Sequence, residues 1–567
     1  MSVINQLAVL AAYPAAIWSF VVLVVQGLGA FQIFRNYSRP PPKPVSPTLP
    51  REKIPHVTII RPVSGLDPQL YECLVSTFRQ SYPKDKLTIY FCIESEDDPA
   101  YPVLEKAVDD SPDFDARIFV QEYDPLLSGL EGHAENLGPN PKVRNISRAY
   151  REAKGDIIWI IDCNVWVGNG VAGRMVDKLM GYLPEGKTTT PYKFVHLLPL
   201  VVDIASRSGG ESQQMLSSAS ESSPTASAEA HAAQSTLSYV KNQGGGRLEE
   251  MFMATTHAKF YGAINTVGVA PCIVGKSNMF RKSHLDRYTD PGENANLKPA
   301  DADRGRGIDF FSSYICEDHL IGDLLWKADI PGFRRHGLVS GDLAIQPMAG
   351  MSVRAYWARR VRWLRVRKWT VLAATLVEPG VESLLCSLYL SFALTTIPWF
   401  RQHWGIPQTW GAMAAIWVTG VSLWMSLDRV VYRRLHACQS VEADDNTPAF
   451  ARGTSRPGGV QLKPFSEWLP AWAGRETLAL PIWTWAVLLG RTVRWRGKDF
   501  IVHHDMSVEA VKSNPKTQSQ AHATPFTKPA ENGLKRTTLP ETKENQSTGR
   551  ERPTSTRRRL RSNYSIE

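Results

Sequence analysis

The first 34 residues contain no Asp, Glu, Lys or Arg, and residues 7–33 are mostly apolar. The basic start, short apolar core and cleavage site of a secretory signal are all missing, so this stretch reads as an uncleaved transmembrane anchor. Cysteine is scarce: seven in 567 residues, with no Cys-x-x-Cys. That argues against a zinc site and supplies no disulfide framework. Most of the seven sit in apolar strings, as small buried hydrophobes do in a reducing, cytosol-facing domain. Long apolar runs are also few. After the anchor, the uncharged runs 383–400 and 405–427, separated by Arg401-Gln402-His403, form the pattern of a helical hairpin through a bilayer. A third run, 477–490, falls short of the roughly 20 residues that a full span needs. It reads as a short span or a re-entrant segment. A crossing there would carry the tail to the far face, whereas Arg491, Arg494, Arg496 and Lys498 favour the cytosol.

What is abundant is positive charge: 65 Lys and Arg against 55 Asp and Glu, a formal net charge of +10. The basic residues gather beside apolar runs and in the tail, which suits a membrane surface or a phosphate ligand and gives no nucleic-acid signature. Arg35, Arg39 and Lys43 follow the anchor, so its amino end is expected in the lumen and the chain after it in the cytosol. The chain divides into an anchor (1–34), a Pro-rich linker (35–55), a large domain (56–370), a C-terminal membrane region (371–502) and a polar tail (503–567) expected to be disordered. Within the large domain, the Ser-, Ala-, Gly- and Gln-rich stretch 204–247 is expected to be a disordered insertion.

From His56 onward, short apolar runs alternate with helical segments. Strands are expected near 56–60, 87–93, 116–120 and 156–161, with helices at 70–79, 102–108 and 142–154. This order predicts an α/β domain, a mainly parallel, Rossmann-like sheet with helices on its faces. Ligands of such sheets collect beyond the carboxyl ends of the strands. Asp98 and Asp162 both fall at such ends.

Several strings carry chemistry. Asp97-Asp98-Pro99 reads locally as a turn or helix cap, and Asp98 is equally placed to accept hydrogen bonds from a ribose or base. Asp162-Cys163-Asn164 follows five apolar or aromatic residues. A carboxylate there can bind a divalent cation that bridges diphosphate oxygens, although Asn164 replaces a second carboxylate. Glu317-Asp318 opens a predicted helix, where a carboxylate caps the helix or serves as a rigidly held general base. In Arg359-Arg360-Val361-Arg362-Trp363, Arg359 and Arg362 share one helix face and can reach one diphosphate. The indole can stack on a sugar or base, and the bland reading is a juxtamembrane basic cluster. Lys142 and Asn145 can reach the donor or simply start a surface helix. His257, in a partly apolar string, reads first as structural. Glu378 lies beside an apolar run, where an ionisable group is expensive enough to suggest function.

Taken in order, these strings resemble ceramide glucosyltransferase, the family 21 inverting glycosyltransferases. The resemblance rests on Arg61-Pro62-Val63-Ser64-Gly65-Leu66-Asp67-Pro68, Asp97-Asp98-Pro99-Ala100, Asn140-Pro141-Lys142 with Asn145, Trp159-Ile160-Ile161-Asp162, and His196-Leu197-Leu198-Pro199. Val274-Gly275-Lys276-Ser277, Glu317-Asp318, the R-x-x-R-W string and Glu378-Pro379 continue it. It implies a glycosyltransferase-A fold with added transmembrane helices, and transfer of glucose from UDP-glucose to the primary hydroxyl of ceramide with inversion. It assigns Asp98 to the nucleotide, Asp162 to the diphosphate and a divalent cation (Mg²⁺ or Mn²⁺), and Asp318 to the general base. Arg359, Arg362, Trp363 and Lys142 join the donor side, and His257 and Glu378 the acceptor side. The expected setting is a Golgi or endoplasmic reticulum membrane, with the catalytic domain facing the cytosol. A processive polysaccharide synthase shares these motifs but normally needs more membrane helices. A scaffold with a degenerate transferase domain is the other rival, hinted at only by Asn164.

Overall fold

The computed structural model describes residues 3–127, 137–205 and 236–511. Its centre is a seven-stranded sheet: β1 (Val57–Pro62), β2 (Leu87–Ile93), β3 (Asp115–Val120), β4 (Ile157–Ile161), β5 (Tyr192–Asp203), β6 (Ser277–Arg281) and β7 (Arg334–Met348), in the order β3-β2-β1-β4-β6-β5-β7. β1, β2 and β4 are buried along their whole length, the condition in which continuous Val, Ile and Leu runs form interior parallel strands. β3, β2, β1 and β4 run parallel, as do β5 and β7. β6 is antiparallel to both β4 and β5, so the sheet is mixed. Helices Leu70–Val75, Tyr101–Asp109, Pro141–Arg151 and Val171–Met180 cover its faces.

The anchor is one helix, Val3–Asn36, with Leu10, Ile17 and Phe20 turned outward. At about 1.5 Å per residue it is long enough to cross the ~30 Å hydrocarbon layer. It packs closely on helix Ala258–Val267, where a side chain at Gly29 would collide with the carbonyl of Lys259. Trp410–His436 is a second helix of membrane length and apolarity. Leu372–Val381 and Ser383–Thr396 make a third segment of that kind only if counted together, and they meet at 78°. The hairpin expected over 383–427 thus has one bent arm and one straight arm. Residues 477–490 fall in the end of helix Phe465–Trp483 and a π-helical turn, Thr484–Leu488.

Two boundaries differ from expectation. Helix Thr236–Phe252 occupies the end of the stretch expected to be disordered; the rest of that stretch, residues 206–235, lies outside the described residues. Tertiary packing accounts for the difference, because Gly245 lies against the backbone of Met351 and Ser352, an approach that only a side-chain-free residue allows. The tail also begins later than expected. β8 (Thr492–Trp495), β9 (Lys498–Val502) and β10 (Val508–Ala510) form a small antiparallel sheet. Residues beyond Val511, including most of the expected tail, are outside the description.

Candidate active site

The site forms at the carboxyl ends of β1, β2 and β4. After β1 the chain turns through Gly65, whose φ of +67° favours glycine. The Gly65 amide donates to both carboxylate oxygens of Asp98, at 2.9 and 3.0 Å, and the Ala100 amide donates to one of them at 2.9 Å. Asp98 therefore ties the loop after β2 to the loop after β1. Asn145 is structural: its buried amide donates to the carbonyls of Val63 and Cys92.

Asp162 follows β4. Its two carboxylate oxygens accept from different lysines, Lys142 Nζ and Lys276 Nζ, each at 3.1 Å. Lys276 also donates to Asn164 Oδ1 at 3.2 Å, and Asn164 donates to Asp67 at 3.0 Å. Burial would raise the Asp162 pKa, but the two ammonium groups overcome it and hold the carboxyl well below the usual carboxylate range. Lys142 comes from the first turn of helix Pro141–Arg151, capped by Asn140. Lys142 also reaches Glu317 at 3.0 Å, and those two acids hold its pKa above that of an ordinary lysine despite burial.

Beneath the cluster lies Arg61, fully buried on β1. One of its guanidinium nitrogens donates to the carbonyls of Asp162, Cys163 and Val165 at 3.1, 2.9 and 2.8 Å. It fixes the turn that presents Asp162 and Asn164.

Asp318 lies in the first turn of helix Glu317–Lys327. Burial pushes the carboxyl groups of Glu317 and Asp318 up and Lys142 opposes this in both; Asp318 adds to the rise of Glu317, and Asp162 to that of Asp318. A methyl group at Gly275 would stand 2.6 Å from Asp318 Oδ2. Gly275→Ala is therefore expected to displace the carboxylate and lower turnover about 100-fold, the usual scale for a 1 Å misplacement. Steady-state kinetics of wild-type and variant protein checks this.

The R-x-x-R-W string lies on helix Val353–Arg367, capped by Ser352. Arg359 donates to the fully buried Glu249 at 2.9 Å and lies over the Trp363 ring at 4.8 Å. Arg362 makes no ion pair among the described residues. Burial and the neighbouring Arg359 push its pKa down to about 10, and Asp162 is near enough to act on it. Of the two arginines expected at the diphosphate, Arg362 is thus the available one, while Arg359 is engaged. Arg360 faces elsewhere, with its guanidinium 3.5 Å from the Phe252 ring centre. Glu378 pairs with Arg367 at 2.9 Å and Arg360 at 3.6 Å. His257, on the π-helical turn Met253–His257, is stacked on Tyr261, and burial with Arg360 and Arg367 nearby pushes its pKa down to about 3.

Sequence reasoning thus found Lys142, Asp162 and Asp318, which meet in one cluster. It missed Lys276 and the role of Arg61. The available signal was a lone cation inside an apolar string, which is rare in a core unless paired.

A strand-end carboxylate between two lysines and an adjacent buried acid pair thus stand beside a basic helix in a chain with helices of membrane length, and the sequence comparisons make it a glycosyltransferase. The sequence profile of glycosyl transferase family 21 matches residues 17–193 and 227–508. The ceramide glucosyltransferase of Pyricularia oryzae is 59% identical over 500 residues, covering 88% of this chain and 94% of that protein. That of Gibberella zeae is 52% identical, covering 87% and 92%, and that of Candida albicans is 33% identical, covering 88% and 97%. The chain belongs to glycosyl transferase family 21, and its sheet is the mainly parallel sheet with helices on its faces that the sequence predicts, made mixed by β6.

Proposed function

We propose that this protein transfers glucose from UDP-glucose to the primary hydroxyl of ceramide, with inversion, at the cytosolic face of a Golgi or endoplasmic reticulum membrane. The arrangement that carries the chemistry is the Asp318 carboxylate beside the Lys142–Asp162–Lys276 cluster; the acceptor is carried by similarity to the relatives above. Asp318 takes the hydroxyl proton as the oxygen attacks C1 of glucose. The bond from C1 to the UDP oxygen breaks, and UDP departs with the electron pair. Arg362 and the two lysines offset the charge on the diphosphate, which is often the largest catalytic contribution. Asp98 and Trp363 line the donor side, Arg359 steadies Trp363, and His257 and Glu378 belong to the acceptor side.

Among the described residues, no three His, Cys, Asp or Glu side chains converge on a point where an ion would sit. The donors still suit a Mg²⁺ or Mn²⁺ ion held chiefly by substrate phosphates, which asks the protein for only one or two carboxylates. Asp162, with a quarter of its side chain exposed, and the Asn164 amide oxygen would hold it, in exchange for the lysine contacts those oxygens make here. Such an ion supplies further neutralisation of the leaving diphosphate.

The test uses membranes containing the full chain, UDP-[¹⁴C]glucose and ceramide. A labelled lipid that requires ceramide is the expected product. A labelled polymer, or a lipid formed equally well from UDP-galactose alone, would overturn the assignment.

A further inference from the structure

Behind the R-x-x-R-W helix is a cleft that has Glu378, placed above on the acceptor side, in its wall. Phe252, Leu364 and Ile482 form apolar parts of its wall, and Arg360, Glu382 and Arg475 are among its polar parts. Arg475 is only 1% exposed and bonds Glu382, Glu476 and Thr256 through its terminal nitrogens. Its Nε has no hydrogen-bond partner, an uncommon state for a buried guanidinium. Glu382 receives a hydrogen bond from Thr256 as well.

The charges around the cleft cancel. Arg475 also approaches Asp428 at 3.5 Å, and Asp428 holds Lys259 at 2.5 Å. Within the wall itself, Arg360 and Arg475 face Glu378 and Glu382, two cations against two carboxylates. A set balanced in this way leaves no surplus cation to compensate a phosphate. It does leave hydrogen-bonding atoms of both kinds in a half-apolar wall. Phe252 and Arg360 adjoin Trp363, with Arg360 5.5 Å from that ring, so a headgroup in the cleft would lie next to the donor-binding helix.

We infer that this cleft is the headgroup subsite of the acceptor, reading an uncharged lipid through its hydroxyl and amide groups by way of Glu382 and Arg475. The inference rests on the proposed ceramide acceptor. It explains how one lipid class is drawn from a bilayer in which phospholipids are in excess: an anionic headgroup would meet Glu382 with no free cation to balance it.

The experiment is a cycle between protein and acceptor. Wild-type protein, Glu382→Gln and the milder Thr256→Val are assayed in mixed micelles with ceramide and with its 3-O-methyl and N-methyl analogues, and UDP binding is titrated alongside. In wild-type protein, blocking the 3-hydroxyl or the amide is expected to raise the acceptor KM about 10-fold or more, the scale of a lost hydrogen bond to a charged group. In Glu382→Gln the ceramide KM rises by a similar factor, and the analogues are penalised little further. UDP affinity stays unchanged in both variants. Equal analogue penalties in wild-type and variant proteins would overturn the subsite, as would loss of UDP binding in Glu382→Gln together with normal acceptor discrimination in Thr256→Val. Absence of any lipid product from wild-type protein would instead overturn the ceramide reading itself.

Discussion

Asp318→Asn is expected to reduce glycosyl transfer by about 10³-fold, within the range contributed by a positioned general base, while the nucleotide-sugar donor continues to bind. The amide keeps the shape of the side chain beside Gly275 but cannot accept the acceptor proton. The pH profile supplies a second check. Burial raises the Asp318 pKa, and Glu317 beside it is raised as well. The base works ionised, so activity is lost as pH falls through the raised value. The acid limb of kcat should therefore lie above the ordinary carboxylate range, and the residual activity of Asp318→Asn should lack that limb. A variant with normal turnover would remove Asp318 from the reaction.

Lys142→Ala has the second large effect, and it acts on both stability and rate. Lys142 is the cation shared by Asp162 and Glu317. Removing it leaves Glu317 buried with no ion-pair partner and Asp162 with Lys276 alone. Breaking a buried pair from one side costs about 3–5 kcal/mol. Asp162 is held ionised below the usual carboxylate range and Lys142 above the usual lysine range. The pair is thus intact throughout neutral pH, and its loss should appear in full at pH 7 as a lower thermal midpoint. Lys142 also opposes the upward shift of Asp318, so the acid limb of activity should move to higher pH in the variant. Unchanged melting and an unchanged pH profile would show that Lys142 is not the shared counter-ion.

The parts legible in the sequence were those whose signal is local. β1, β2 and β4 are continuous apolar runs because they are buried on both faces, and Asp98 and Asp162 stand out as the polar residues that end such runs. Asp318 could be found because a carboxylate opening a helix is a short-range pattern. The roles of Arg61 and Lys276 depend on partners 101 and 114 positions away in the chain, and no window along the sequence contains both ends. The antiparallel placement of β6 between β4 and β5 was hidden for a related reason, since strand direction is set by the crossover and not by the residues of the strand. Gly244-Gly245-Gly246 pointed away from helix by propensity, and close packing against Ser352 reversed that preference. Arg359 was expected at the diphosphate on helical spacing alone; its engagement depends on Glu249, 110 residues earlier.

The small C-terminal sheet has a consequence for how the chain is threaded. The Val508 amide donates to the Ser313 carbonyl at 2.8 Å, and Ser507 bridges Tyr314, just ahead of Glu317-Asp318. Earlier, Glu442 pairs with Arg174, and the Asn446 carbonyl accepts from Arg79. Both regions rest on the same domain, so any membrane crossings between that domain and each of them must be even in number. Two segments of membrane length lie between, the bent one at 372–396 and the helix Trp410–His436, which satisfies that parity. Helix Phe465–Trp483, interrupted by Pro470 and Pro481 and carrying Arg475 and Glu476 in its interior, is not among the described helices of membrane length and apolarity. The strand Val508–Ala510 that follows it is thus held beside Tyr314, on the same side of the domain as Glu317 and Asp318.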